Sequence, residues 1–125
     1  MNIGLMAENA KKELMQYFCI AYKGILSKHT LYATGNTGRM IEDVTNMTLH
    51  KFLPGQLGGG RQVGTQIECN GIDALIFLRD PLEPVENHSD FDMIARICDQ
   101  NNIPLATNIA TAEVLIMAID RGDLS

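Results

Sequence analysis

The chain of 125 residues lacks the marks of several large protein classes. Its three cysteines, Cys19, Cys69 and Cys98, are odd in number, widely spaced and form no C-x-x-C pair. That excludes a framework of bridges and points to reduced thiols in a cytoplasmic protein. No apolar run approaches the roughly 18 residues of a membrane span, and no basic stretch leads into an apolar one at the amino terminus. Neither a membrane partner nor an export signal is expected. Positive charge is scarce too: ten basic residues stand against fifteen acidic ones, a formal charge of −5. A surface for nucleic acid polymers needs a positive field, so an anionic ligand here has to be held by a local arrangement. His29 and His50 stand apart from any cysteine or acid at ligand spacing, so no metal is expected, and no cofactor motif is present. There is no repeat or linker, and the length suits one domain over residues 1–125.

What is present is an alternation of two kinds of segment. I-G-L-M-A at residues 3–7, H-T-L-Y-A-T at 29–34, A-L-I-F-L at 74–78 and I-P-L-A-T at 103–107 read as strands, with T-L-H-K-F-L at 48–53 a further candidate. Between Lys11 and Leu26 the apolar residues Leu14, Phe18, Ala21, Tyr22 and Ile25 recur at helical spacing. Shorter helices are expected at 37–44, 62–69, 91–99 and 111–118. Strands that are apolar throughout are buried on both faces. Alternating with helices, they predict an α/β, Rossmann-like three-layer fold built on a parallel sheet. Cys19 and Cys98 fall inside predicted helices as inert packing, and Met6, Met15, Met40, Met47, Met93 and Met117 are read as core fillers.

In such a sheet ligands gather at the carboxyl ends of the strands. The segments there are small or polar: Ala7-Glu8-Asn9, Thr34-Gly35-Asn36-Thr37-Gly38, Arg79-Asp80-Pro81 and Thr107-Asn108. T-G-N-T-G sets two hydroxyls and free amides at a helix start, where unpaired N–H groups and the helix dipole favour an anion such as phosphate. It is neither a Walker loop nor a dinucleotide fingerprint, and Thr37 has the alternative role of an N-cap. Lys12 adds a positive charge nearby. Residues 55–64, G-Q-L-G-G-G-R-Q-V-G, hold five glycines, one arginine and no acid. Such a segment lets backbone amides approach a ligand closely.

L-Y-A-T-G-N-T-G, L-P-G-Q-L-G-G-G-R-Q-V-G, F-L-R-D-P-L and I-P-L-A-T-N, in this order and spacing, resemble methylglyoxal synthase, and the resemblance covers nearly the whole chain. It implies an enzyme that converts dihydroxyacetone phosphate to methylglyoxal and phosphate, a five-stranded parallel sheet and a homo-hexamer. By position, Lys12, Thr34, Thr37 and Gly55 match the phosphate site, with Gly35 and Asn36 in the same loop. Asp80 and Asp90 match acidic residues of the active site.

The departures fall in that same pocket. The family's glycine loop runs G-G-D-Q-Q, and the resemblance makes its aspartate the base that takes a proton beside the substrate carbonyl. Here that place is Gly60, followed by Arg61. A His-Asp pair becomes Glu8-Asn9, a threonine becomes Asn36, a serine becomes Pro54, and the expected histidine falls on Asn87, with His88 one place later. Glycine accepts no proton, whereas arginine is a good phosphate partner. These substitutions lead to the expectation of a binding module that senses or sequesters a phosphate-bearing metabolite or nucleotide without efficient catalysis. The regulatory domain of carbamoyl phosphate synthetase, similar in fold, offers a parallel. The alternative is a working synthase whose base has moved to Glu8, Asp80 or Asp90, with His88 a further catalytic candidate.

Overall fold

The computed structural model describes residues 1–87 and 89–124, side chains at 56, 85 and 89 excepted. At its centre lies β1 (Asn2–Ala7), hydrogen-bonded on one side to β2 (Thr30–Thr34) and on the other to β4 (Ala74–Leu78). β3 (His50–Phe52) and β5 (Leu105–Ala106) close the two edges, giving the order β3-β2-β1-β4-β5 with every pairing parallel. The predicted α/β, Rossmann-like three-layer fold is therefore the observed one.

Period-two alternation decides which face each strand residue serves. Ile3 and Leu5 of β1, with Ala74, Ile76 and Leu78 of β4, point to one face. There they meet Met15, Phe18 and Cys19 of α1 (Lys12–Ala21), Leu26 of the short α2 (Lys23–Leu26), Ile41 of α3 (Gly35–Thr45) and Ile116 of α6 (Ile109–Arg121). Met6, Leu75 and Phe77 point the other way, against Val63 and Ile67 of α4 (Gly59–Glu68) and Phe91, Ile94 and Cys98 of α5 (Ser89–Asn101). All five residues of β4 are buried, which is why that stretch reads as unbroken apolar sequence.

The structure corrects several boundaries. The stripe over 11–26 is two helices, broken at Tyr22, whose backbone (φ −110°, ψ 21°) leaves the helical region. The 48–53 and 103–107 segments supply only three and two residues to the sheet, as suits edge strands. Of the methionines, Met6, Met15 and Met47 are core, whereas Met117 is 41% exposed. Burial pushes the Cys19 thiol up to about 12 and the Cys98 thiol up to about 11, as inert packing requires. No helix among the described residues is long and apolar enough to cross a membrane.

The glycine segment is wound rather than slack. A single 3-10 turn over Gly55–Leu57 is followed by Gly58 at φ 101°, a left-handed conformation that favours glycine, and α4 begins at once. The Pro54 carbonyl accepts from Leu57 N–H at 2.9 Å and from Gly59 N–H at 3.1 Å. This draws Gly59 so close to the preceding strand exit that a Cβ would run into the carbonyl of Leu53.

Candidate active site

After β1 the chain proceeds outward to β2 and β3, then returns across the sheet to β4. That reversal leaves a crevice at the carboxyl ends of β1, β2 and β4, the position where open α/β sheets bind their ligands. A cleft of about 240 Å³ occupies it. The end of β1 contributes Met6, Ala7, Glu8 and Asn9, with Lys12 from the first turn of α1; the β2 exit contributes Thr34 and Asn36. Gly55, Asp80, Glu83, Asn87, Asp90 and the rings of Phe77 and Phe91 complete the lining.

The charge of the cleft lining is mostly negative. Among its described lining residues Lys12 is the one cation, against the carboxylates of Glu8, Asp80, Glu83 and Asp90. Lys12 lines the same cleft as Thr34, the N-cap of α3, which makes no side-chain capping bond. The first-turn N–H groups of α3 thus have no side-chain acceptor at the cap, and with the helix dipole they favour an anion. Thr37, two residues into that helix, is not its N-cap. It is 1% exposed, and its Oγ1 is buried without a hydrogen-bond partner. An orphaned buried hydroxyl costs about 1–3 kcal/mol, which a ligand oxygen reaching the helix start would relieve.

The acidic side is pinned by short hydrogen bonds. Glu8 Oε1 accepts from the Asp80 N–H at 2.6 Å, and the Glu8 N–H donates to the Leu78 carbonyl at 3.0 Å, joining the ends of β1 and β4. Asp80 Oδ1 accepts from Leu82 N–H at 3.0 Å, closing the turn before α5, and Asn87 Nδ2 donates to Glu83 Oε1 at 2.9 Å. Asp90 stands in the first turn of α5 with its carboxylate laid on the glycine of α4. A Cβ on Gly60 would lie 3.0 Å from Asp90 Oδ2 and 3.1 Å from its Cγ. The volume into which a side chain at position 60 would grow is already held by a carboxylate from another helix.

Of the residues singled out in the sequence, Glu8, Lys12, Thr34, Asn36, Gly55, Asp80 and Asp90 line the one cleft. Gly35 faces a second, shallower cleft shared with Arg39 and Pro54. Arg61 is exposed and lines a third with Phe52, Gln62, Thr65 and Gln66, away from the carboxylates. His88 lies outside the described residues. Met6, Glu83, Phe77 and Phe91 were not anticipated; the apolar three give no sequence signal that separates a cleft wall from a core position. No group of three or more His, Cys, Asp or Glu among the described residues is placed to hold a metal ion.

The chain is thus a Rossmann-like α/β domain with a cleft at its switch point, lined by a helix start and several carboxylates. The model of the MGS-like domain matches residues 18–107. The methylglyoxal synthase of Caldicellulosiruptor saccharolyticus is 62% identical over all 125 residues, which span 89% of that protein. That of Clostridioides difficile is 46% identical over the whole chain and 91% of its own length. The crystal structure of methylglyoxal synthase from Elizabethkingia anophelis superposes with a TM-score of 0.87 at 36% identity, covering 92% of this chain and 76% of that one. The chain belongs to the methylglyoxal synthase family.

These relatives overturn the expectation of a binding module without efficient catalysis. That expectation rested on the missing aspartate at position 60, whereas a relative 62% identical over the whole of this chain is named methylglyoxal synthase. The carboxylate of Asp90 stands where a side chain at position 60 would grow.

Proposed function

We propose that this chain, folded over residues 1–125 as one domain, is a methylglyoxal synthase. Its substrate is dihydroxyacetone phosphate, and Asp90 is the base in place of the absent aspartate. The observation that carries the reading is the contact of the Asp90 carboxylate with Gly60. The ester phosphate lies against Lys12, Thr34 and Gly55 of the cleft lining and the start of α3, where Thr37, buried just behind the lining, supplies a hydroxyl that has no protein partner. The carbonyl and hydroxymethyl carbons then extend toward the acids. Asp90 removes a proton from the hydroxymethyl carbon, and the electron pair forms the enediolate. Collapse of the enediolate breaks the bond between carbon and the ester oxygen, phosphate leaves with that pair, and the enol product tautomerises to methylglyoxal. Glu8 and Asp80, tied through the 2.6 Å bond, are the neighbouring groups placed to handle the proton on the carbonyl oxygen. The family resemblance supports a homo-hexamer, and the free thiols of Cys19, Cys69 and Cys98 agree with a cytoplasmic setting.

The test is turnover of the purified chain on dihydroxyacetone phosphate, with methylglyoxal measured colorimetrically and phosphate in parallel. Equal release of both at an ordinary enzymatic rate, on the order of 1 to 10³ per second, is expected. Tight binding of the substrate without release of either product would sink the reading.

A further inference from the structure

Phe77, near the end of β4, and Phe91, directly after Asp90, meet edge to face with ring centroids 5.2 Å apart, and both line the cleft. Just past the end of β4, Arg79 lays its guanidinium over the Phe91 ring, 4.8 Å from its centroid. The backbone of Arg79 is fixed by its N–H, which donates to the Thr107 carbonyl at 3.1 Å. Phe91 is therefore gripped by a ring of the strand and by a cation just beyond the strand's end, and it is 8% exposed. A carboxylate one residue away, on the first turn of a helix, moves with that ring.

We infer that Arg79 is a positioning residue for Asp90: by clamping Phe91 it holds the first turn of α5 so that the carboxylate stays over Gly60. This rests on the assignment of Asp90 as the base. A carboxylate borne on the loop of Gly60 itself would need no such clamp. One borne on α5 has to be held across the gap between two helices, and a displacement of about 1 Å in a reacting group is enough to cost up to 10²-fold in rate. Arg79 touches no substrate in this account, so its removal affects the chemical step and leaves phosphate binding alone.

The experiment compares Arg79→Met, which keeps length and packing on the ring but loses the charge, with Arg79→Lys, which keeps the charge. A solvent-exposed cation over a ring is modest in strength, so Arg79→Met should lower kcat about two- to five-fold with KM for dihydroxyacetone phosphate and the melting temperature little changed, and Arg79→Lys should restore most of the loss. In an Asp90→Asn background, the same Arg79→Met change should cost nothing further, because the group it positions is gone. An equal loss in both backgrounds, a rise in KM in place of a fall in kcat, or no rescue by lysine would overturn the clamp. Failure of the underlying assignment looks different: Asp90→Asn would then itself be active, whatever Arg79 does.

Discussion

Asparagine at position 90 keeps nearly the shape of aspartate, so Asp90→Asn leaves the contact with Gly60 and the first turn of α5 in place while removing the ability to accept a proton. A positioned base contributes roughly 10² to 10⁴ in rate, about 2.7 to 5.5 kcal/mol of barrier. The phosphate is proposed to be held by other residues of the lining, Lys12, Thr34 and Gly55, so the loss should appear in kcat with KM nearly constant. The reciprocal change sharpens the test. A side chain at position 60 begins 3.0 Å from Asp90 Oδ2, and an aspartate there sets a second carboxylate against the first. Gly60→Asp alone should therefore lower activity by displacing Asp90 and by repulsion between like charges. Combined with Asp90→Asn, the new carboxylate meets an amide that donates to it, and activity should rise at least about tenfold above Asp90→Asn alone. Initial rates of methylglyoxal formation for the four proteins decide it. Asp90→Asn within about threefold of the natural chain, or Gly60→Asp more active than it, would show that the base is elsewhere.

The buried, unpartnered hydroxyl of Thr37 makes Thr37→Val diagnostic: the unliganded protein should melt at the same or a higher temperature, while KM for dihydroxyacetone phosphate rises about 10- to 100-fold, as for a lost charge-assisted hydrogen bond. Arg61 lines a cleft apart from the carboxylates, so Arg61→Ala should leave both kcat and KM within about twofold. Ellman's reagent should label Cys69 rapidly in the folded protein and Cys19 and Cys98 only on unfolding, since burial raises those two thiols to about 12 and about 11. Burial first, and then the Met1 amino group 3.0 Å from Nδ1, holds the His29 pKa below its ordinary 6.5, with Lys28 adding to the effect and Asp120 opposing it. A base depressed in the folded state contributes stability above its unfolded pKa and loses it as pH falls. Thermal melts should therefore drop below pH 6.5, and His29→Gln should flatten that drop.

Much of the fold could be read from periodicity because the two faces of the sheet are both covered. Residues 74–78 sit in a buried central strand, and nothing but an apolar run satisfies that position. Edges resist such reading. His50–Phe52 has two exposed residues in three, and pairing on one side alone stabilises it, so its composition carries no clear alternation. The early start of α4 was hidden for a different reason. Glycine is a poor helix former, yet Gly59 and Gly60 begin this helix: the Leu53 carbonyl leaves no room for a Cβ at the first, and the Asp90 carboxylate crowds one at the second. Their presence is a tertiary constraint that local propensity does not contain.

The same distinction explains why the chemistry was misjudged while the pocket was found. Strand exits are fixed by topology, so Glu8, Thr34, Asn36 and Asp80 could be gathered into one cleft from their order along the chain. A position-by-position comparison, however, asks whether an acid stands at residue 60, whereas the reaction asks whether a carboxylate stands at a point in space. α4 and α5 pack against each other through Val63, Ile67, Phe91, Ile94 and Cys98, which brings residues 30 places apart in sequence into contact. The loss of a side chain on one helix then opens the volume that a carboxylate of the other fills. Glycine at 60 is in this view a condition for Asp90 to serve: alanine there would already crowd the carboxylate, so the two positions are expected to tolerate change only together.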